Sequence, residues 1–444
     1  MSKAKQFVFR AIRKTAHLSN RAMQKTLGLT TRVEHKATRI LDGTDFGIAA
    51  EDTIALEKMY YNSLKYITPI NPALPKVGQK AAVVLFVPSL TASSFYGGTA
   101  TALFVAGRLA ELTKRPLRIV QTIQTGHVEN LSKFLSDAGI TVAEDDISIS
   151  SVAERSYNVY GYLPMHQDDI FIASAWWDAY LINQLPLTRK FIYLIQDFEP
   201  IFYNNSDLYI LAESTYQGGN YTPLCNTKLM YDFMQERGYP NFKDSTASYF
   251  EPAVSRSASG LVRKKAKSEK KKMFLYGRPN VHRNLFFTGL TAIDYAFKAG
   301  FLNKNDWELF MAGQDGLANI KLSSGVILKN LGKMEMQDYT DFSKDVDVAV
   351  SLMMAPHPNY PTLEFASVGA AVVTTKYANK VDLSGYSKNI VLSDIGVESI
   401  AGAINVAAGM TYESRMKNLE ANNINNSWTN ALDAVLKNIL TQYR

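Results

Sequence analysis

Two arginines lie in a short loop in the second half of the chain. Residues 276–284 read YGRPNVHRN and follow a strand-like apolar run, with Arg278 and Arg283 five positions apart. Open α/β sheets bind ligands at the carboxyl ends of their strands, which is where this loop would lie. Two guanidinium groups there could clamp a diphosphate and neutralise the charge that grows as a phosphate leaves. The motif alone leaves open the alternative of solvent-exposed loop arginines.

A carboxylate stands near the start of a helix predicted after another strand. Residues 353–369 read MMAPHPNYPTLEFASVG, in which a proline-rich loop leads into a helix that carries Glu364. A carboxylate in that position either complements the positive N-terminal end of the helix or holds a ribose hydroxyl. The spacing alone does not decide between the two.

A glycine pair in the first half of the chain could face an anion. Residues 93–99 read SSFYGGT between a predicted strand and a predicted helix, with Gly97 and Gly98 at the helix start. Glycine permits close backbone approach, and the amides of a helix N-terminus attract phosphate. The segment lacks the Gly-x-Gly-x-x-Gly spacing of dinucleotide sites, so a plain tight turn is equally compatible with it.

Acidic side chains among aromatic ones mark the end of a further strand. Asp197 and Glu199 lie in QDFEP at 196–200, close to Tyr193 and Phe202. Rings that stack on C–H faces and carboxylates that accept hydrogen bonds from hydroxyls are the chemistry of a sugar site. The same density of aromatic residues is also typical of a core.

The elements that would position these residues alternate between strands and helices. Strand-like runs, separated mostly by segments of helical spacing, lie at 81–87, 118–122, 170–173 and 191–196, and again at 273–276, 307–312, 326–328, 346–352 and 370–374. This alternation predicts an α/β protein with parallel, doubly wound sheets. We therefore predict two Rossmann-like domains that face a cleft. The predicted bounds are a basic helical N-terminal extension at 1–79, a first domain at 80–254, a basic hinge linker at 255–272 and a second domain with C-terminal helices at 273–444.

The composition is that of an ordinary globular protein with more than one core. The chain has 444 residues, of which 46% are hydrophobic and 20% charged, and this excludes a disordered, collagen-like or disulfide-stapled chain. Its single cysteine, Cys225, allows neither an intramolecular disulfide nor a multi-cysteine zinc site, as expected of a cytoplasmic protein. The longest apolar runs, such as 81–87, fall short of the roughly 20 residues of a membrane span.

The net charge of +7 is concentrated in two basic segments. Residues 1–39 hold ten Lys and Arg against one acid, so the other 405 residues carry a net charge of −2. At helical spacing, Phe9, Ile12 and Met23 share an apolar face beside a basic one, which predicts a helix lying on the anionic inner surface of the membrane. The alternative is a helix docked on the protein itself or on a second subunit of a homodimer. The second basic segment is 255–272, and the acidic remainder argues against a nucleic-acid partner.

Taken in order, these segments resemble the GT-B glycosyltransferases of family 4, and more narrowly the WsaF-type rhamnosyltransferases of bacterial cell-surface glycan assembly. The resemblance covers about residues 80–444. The signature that grips the donor diphosphate matches Gly277, Arg278 and Arg283, and the N-domain glycine loop matches Gly97 and Gly98. The other matches are Pro361-Thr362-Leu363-Glu364 for the ribose-binding helix start, Leu331-Gly332-Lys333 for the loop that borders the base, and QDFEP at 196–200 with AESTY at 212–216 for the narrower subgroup.

This resemblance implies a retaining transfer of L-rhamnose from dTDP-β-L-rhamnose to a lipid-linked glycan, with the leaving phosphate taking the acceptor proton. The catalytic residues expected are Arg278, Arg283, Asp197 and Glu199. The donor contacts expected are Gly97, Gly98, Arg278, Arg283, Gly332, Lys333, Thr362, Leu363 and Glu364. Neither a metal nor a cofactor is expected, because the arginines take the place of a cation.

The chain departs from the family pattern at two positions. The family often has a glutamate eight positions before Glu364, where this chain has Pro356 with His357 beside it. A histidine common at the active-site strand end is replaced by Gln196, which is compatible with a 6-deoxy sugar. Two other functions fit the same elements. A nucleotide-sugar epimerase would need no acceptor, and a non-catalytic nucleotide or nucleic-acid binder would ignore the sugar.

Overall fold

The computed structural model describes residue 56 and residues 64–155, 162–243, 246–254, 260–266 and 268–443. The chain divides into two compact units, one of residues 1–70 with 154–161 and the other of residues 71–153 with 162–444. In the first unit, the Arg155 guanidinium donates hydrogen bonds to the backbone carbonyls of Thr68 and Tyr66, at 2.5 and 3.1 Å. The basic helix predicted within residues 1–39 lies outside the described residues.

The larger unit contains a first sheet of seven parallel strands. They are β2 (Val83–Val87), β3 (Leu117–Gln121), β4 (Ile147–Ser151), β6 (Ile170–Ala173), β7 (Phe191–Ile195), β8 (Tyr221–Asn226) and β9 (Ser248–Phe250), in the spatial order β4-β3-β2-β6-β7-β8-β9. A separate parallel pair joins β1 (Asn71–Ala73) to β5 (Tyr162–Pro164). All five residues of β2 are buried, as expected of a strand covered on both faces.

Helices follow most strands of this sheet. They are α1 (Gly97–Thr113), α2 (Leu131–Asp137), α3 (Trp176–Ile182), α4 (Asp207–Ser214) and α5 (Lys228–Glu236). The long helix α1 follows β2 and buries Leu103, Val105 and Leu109 against the sheet, so the start of α1 is fixed at the carboxyl end of β2.

The second sheet has the same construction. Its strands are β10 (Lys271–Tyr276), β11 (Trp307–Ala312), β12 (Ile320–Lys321), β13 (Ile327–Asn330), β14 (Val348–Val350), β15 (Ala371–Thr375) and β16 (Ile390–Ser393), in the order β12-β13-β11-β10-β14-β15-β16 with only β12 antiparallel to its neighbour. Its helices are α6 (Phe286–Lys298), α7 (Met336–Ser343), α8 (Tyr360–Val368), α9 (Val397–Gly409) and α10 (Tyr412–Glu420). Ile293 and Ile404 pack on one face, and Phe365 packs against Phe274 on the other. The prediction of two Rossmann-like α/β domains is confirmed.

The predicted bound of the second domain is wrong at its carboxyl end. A last helix, α11 (Trp428–Leu440), buries Leu432 and Leu436 in the core of the first sheet, and the Trp428 ring lies 4.6 Å from that of Phe104. An ion pair of 2.6 Å between Arg108 and Asp433 joins the same two helices. The apolar face of α11 therefore completes the first domain, although the helix follows the second in sequence.

The segment predicted as a hinge linker is tied to the second domain where it is described. The Val262 amide donates to the carbonyl of Val368 at 2.8 Å, and Lys265 pairs with Asp347 at 2.6 Å. The segment also ends earlier than predicted, because β10 begins at Lys271. Acidic partners within the protein thus neutralise part of this basic segment, which weakens the case for a nucleic-acid partner there.

Across the described ranges, no helix is both long and apolar enough to cross a bilayer.

Candidate active site

Residues from the two domains meet where β7 and β10 end. Asp197 follows β7, and Arg283 lies in a single 3-10 turn, His282–Asn284, after β10. The Oδ2 atom of Asp197 lies 3.1 Å from Nε of Arg283, and the guanidinium also stacks over the Phe202 ring at 4.0 Å from its centroid. Two residues predicted to be catalytic are thereby brought into direct contact across the domain boundary.

Burial raises the pKa of Asp197 above its ordinary value, although the Arg283 charge and the Phe198 amide both oppose the rise. Asp197 is 8% exposed, and the Phe198 amide donates to its Oδ1 at 2.9 Å. Both carboxylate oxygens therefore have a donor or a cation nearby. These contacts orient the Asp197 carboxylate and hold the Arg283 guanidinium at the carboxyl edge of the second sheet.

Glu199, two residues after Asp197, binds a backbone amide and not Arg283. Its Oε2 accepts a hydrogen bond of 2.7 Å from the backbone amide of Trp176 at the start of α3. Burial, aided by the charges of Asp178 and Asp197, raises the pKa of Glu199 to about 8, so the neutral acid dominates at neutral pH. A direct catalytic role for Glu199 stays a prediction.

Arg278 lies at the end of β10 with its side chain exposed. Its Nη1 atom lies 3.4 Å from the Tyr276 hydroxyl, and its stem passes over Gly313. A Cβ on Gly313 would come within 2.9 Å of Cγ of Arg278, and Gly313 has φ +128°, so glycine is required on both counts. The backbone thus leaves Arg278 room at the carboxyl edge of the sheet.

Glu364 is the fifth residue of α8 and lies beyond its first turn, so the helix-terminus interpretation of this carboxylate is wrong. Its Oε2 accepts a hydrogen bond of 2.9 Å from the Tyr339 hydroxyl of α7. Burial raises its pKa to about 7. The remaining sequence-based interpretation, a contact with a ribose hydroxyl, stays a prediction.

The two predicted glycine loops face each other across the cleft. Gly332 has φ +68°, and the amide of Lys333 donates to Asp315 at 2.7 Å, which fixes the loop after β13. Nζ of Lys333 lies 6.0 Å from the centroid of the Tyr96 ring, directly before Gly97 and Gly98. At the end of β7, Gln196 Nε2 donates to the Gly98 carbonyl at 2.9 Å. The start of α1 is therefore tied to the end of β7.

Thr362 and Leu363 do not present their side chains to the cleft. Thr362 is fully buried, with its hydroxyl 3.4 Å from the Ser351 carbonyl, and Leu363 belongs to the core of the second sheet. These positions precede Glu364 on a helix whose inner face must cover the sheet. A contact between Leu363 and the nucleotide sugar would therefore involve the backbone of Leu363.

The sequence analysis did not select Lys380, which the structure places in the same region. Lys380 is fully buried, and its Nζ donates to the carbonyls of Met353 and His357 at 2.9 and 3.3 Å. Burial lowers its pKa to about 7, while the Asp197 charge opposes the drop. The sequence feature that could have identified Lys380 is its position shortly after β15, at the same sheet edge as Arg278 and Arg283.

Tyr360, the first residue of α8, joins the domains a short distance away. Its hydroxyl lies 2.5 Å from Oγ1 of Thr101 on α1 and accepts a hydrogen bond of 2.9 Å from Asn226 of β8. A single side chain of the second domain is thus anchored to two elements of the first. In the described ranges no cluster of three His, Cys, Asp or Glu side chains is arranged to hold a metal ion.

Comparison with known families accounts for both domains. Residues 82–228 match the model of the WsaF N-terminal domain, and residues 271–405 match that of the WsaF C-terminal domain. The O-antigen biosynthesis protein RfbC of Myxococcus xanthus is 26% identical over 284 residues, or 61% of this chain. The matched region is 21% of the length of RfbC, so the likeness concerns one part of a much longer protein.

Solved structures share the fold at low sequence identity. WaaG, a glycosyltransferase involved in lipopolysaccharide biosynthesis, has a TM-score of 0.53 at 12% identity, covering 80% of this chain and 99% of WaaG. The Anabaena protein HepE, solved with UDP-glucose, has a TM-score of 0.53 at 10% identity, covering 81% and 98%. Sucrose-phosphate synthase of Thermosynechococcus elongatus has a TM-score of 0.52 at 9% identity, covering 82% and 98%. These likenesses show the two-domain architecture.

Proposed function

Because the chain belongs to the WsaF family of GT-B glycosyltransferases, we propose that it transfers a sugar from a nucleotide donor to a growing cell-surface glycan of the O-antigen type. The proposed donor is dTDP-β-L-rhamnose, and the proposed acceptor is a lipid-linked glycan bound on the first domain. The contact between Arg283 and Asp197 supports this proposal most strongly. It sets the cation proposed to bind phosphate, in one domain, against the carboxylate proposed to accept sugar hydroxyls, in the other.

The proposed reaction retains configuration. The bond between the sugar C1 and the donor phosphate breaks while the acceptor oxygen bonds to C1 from the same face, and the leaving phosphate takes the acceptor proton. Arg278 and Arg283 stabilise the charge that develops on the diphosphate. The ion pair to Asp197 involves Nε of Arg283, and the two Nη groups are the part of the guanidinium suited to two phosphate oxygens. Glu364 holds the ribose in this proposal.

A donor panel tests the proposal. The full chain is incubated with dTDP-L-rhamnose, UDP-glucose or GDP-mannose, with and without a rhamnose-containing acceptor, and the released nucleotide and the extended glycan are measured. We expect acceptor-dependent turnover with dTDP-L-rhamnose. Nucleotide release that ignores the acceptor would indicate hydrolysis of the donor, and conversion of the nucleotide sugar to an epimer without nucleotide release would indicate an epimerase. Transfer from another donor would overturn the rhamnose assignment alone.

A further inference from the structure

His357 occupies a rigid loop between β14 and α8. Its Nδ1 accepts a hydrogen bond of 2.9 Å from the backbone amide of Asn359. Asn359 has φ +78°, and its side-chain amide donates to Ser351 at 2.8 Å. Prolines 356 and 358 flank the histidine and restrict the backbone further. The orientation of the ring is therefore fixed by the loop.

The tautomer of His357 follows from that contact. The ring is 4% exposed, and burial with the charges of Lys380 and Arg283 lowers its pKa to about 3, so it is neutral. A neutral ring that accepts at Nδ1 must carry its proton on Nε2. Among the described residues, Nε2 has no hydrogen-bond partner. Folding thus leaves a buried N–H donor without a protein acceptor, and such a group is usually satisfied by a bound water, ion or ligand.

The surroundings of this donor are positively charged. Lys380 donates to the carbonyl of His357 itself, and the Met354 amide donates to the carbonyl of Arg283 at 2.8 Å. The loop that holds His357 is therefore hydrogen-bonded to the ammonium of Lys380 and to the backbone of Arg283, and the charges of both side chains act on the ring. An ammonium has three N–H groups, of which these contacts with Met353 and His357 use two. A phosphoryl oxygen is an acceptor that matches a neutral N–H donor near two basic side chains.

We propose that Nε2–H of His357 donates a hydrogen bond to a phosphoryl oxygen of the nucleotide-sugar donor, in a subsite whose positive charge comes from Arg283 and Lys380. This inference rests on the proposed function and assigns a ligand contact at the loop where the family's usual glutamate is missing. His357 is thereby assigned as a residue that binds the nucleotide sugar.

Two isosteric variants separate binding from loop structure. His357→Asn keeps an acceptor near the Nδ1 position and removes the Nε2 donor, whereas His357→Gln keeps a donor near Nε2 and removes the acceptor. Wild-type protein is first titrated calorimetrically with dTDP, UDP and GDP, and the tightest of them becomes the probe, alone and as its sugar conjugate. We expect His357→Asn to weaken binding of the diphosphate about tenfold or more and His357→Gln to weaken it about threefold or less, with the melting temperature of His357→Asn near that of wild type.

The outcomes distinguish this inference from the proposed function. Wild-type protein that binds none of the three diphosphates overturns the proposed function and the subsite together. Normal diphosphate binding by His357→Asn overturns the subsite alone, and so does a loss confined to the sugar conjugate, since that would place the contact on the sugar. If His357→Asn does not fold, the Nε2–H resonance of ¹⁵N-histidine-labelled wild type is followed instead. We expect it to shift when the diphosphate is added, and an unchanged resonance would overturn the subsite.

Discussion

Arg283 has contacts of two kinds, a carboxylate of the opposite domain and an aromatic ring under its guanidinium. Both contacts restrict the side chain before any donor arrives. A preorganised cation stabilises developing charge without the cost of reorienting during the reaction. Arg278 is exposed by comparison, so the two arginines differ in how much ordering the donor must supply.

Substitution of either arginine by Ala should reduce the rate of sugar transfer about 10²–10³-fold, as does loss of one preorganised donor in other enzymes. Lysine should restore part of the rate, because it keeps the charge and loses the two-pronged geometry. The measurement is transfer from the nucleotide sugar, with folding checked by circular dichroism. Lys133→Ala on α2, whose side chain is 72% exposed, is the control and should transfer normally. Near-normal transfer by a folded double-Ala variant would contradict the proposed role.

Glu199 should make stability depend on pH. Its folded-state pKa of about 8 exceeds the ordinary 4.5, so the folded state favours the neutral acid. The stability that this preference contributes is complete below about pH 4.5 and is lost as the pH rises through 8. Glu199→Gln stays neutral and keeps an acceptor for the Trp176 amide. Its melting temperature should therefore fall less than that of wild type between pH 5 and pH 9.

Scanning calorimetry at several pH values checks this prediction. Glu129→Gln, at a side chain 80% exposed, is the matched control and should follow wild type. If Glu199→Gln and wild type lose stability in parallel as the pH rises, the buried carboxyl is not the source of the dependence.

At the scale of elements, α11 should stabilise the first domain more than its place in the sequence suggests. Leu436 is fully buried in the core of the first sheet, whereas the side chain of its neighbour Lys437 is 61% exposed to solvent. Leu436→Ala should lower the free energy of unfolding by about 2–5 kcal/mol, whereas Lys437→Ala should change it by less than about 0.5 kcal/mol. Denaturant unfolding measures both. Equal effects would mean that the helix contributes little to the core.

The alternation of apolar runs predicted four strands of the first sheet (β2, β3, β6 and β7) and five of the second (β10, β11, β13, β14 and β15), because strands buried on two faces are continuous and apolar. It missed β4, β8 and β9 of the first sheet and β12 and β16 of the second. In β8, for example, the buried residues include Thr222, Pro223 and Asn226, which interrupt an apolar run. The sequence also predicted C-terminal helices and assigned them to the second domain, because nothing in the pattern shows that α11 covers the first. Lys380 escaped selection because lysine is ordinarily a surface residue, and only the fold reveals that its ammonium is bonded to buried carbonyls.

The positions of the candidate site residues were predictable to the level of a sheet edge. Arg278 and Arg283 follow a strand, and the rule for open α/β sheets places them at a ligand-binding edge. The contact of Arg283 with Asp197 was not predictable, because it depends on how two separately folded sheets are joined. The same holds for Tyr360, whose hydroxyl reaches Thr101 and Asn226 of the other domain.

At the scale of the whole molecule, the charge of residues 1–39 supports a peripheral attachment to the inner face of the cell membrane. We expect the full chain to bind vesicles of anionic lipid in a salt-sensitive manner and a chain of residues 40–444 to remain in solution. Transfer to a soluble acceptor should survive the deletion. Cosedimentation measures the binding, with uncharged vesicles as the control, and retention of the truncated protein on anionic vesicles would contradict the attachment.

The return of α11 to the first sheet has a consequence for synthesis on the ribosome. Residues 428–440 leave the exit tunnel after the entire second domain, yet they cover Phe104 and Phe250 of the first. Until residues 428–440 have been synthesised, the first domain exposes the apolar surface that α11 covers. The second domain can complete its core before that point. The domain that is synthesised first is therefore the last to complete its core.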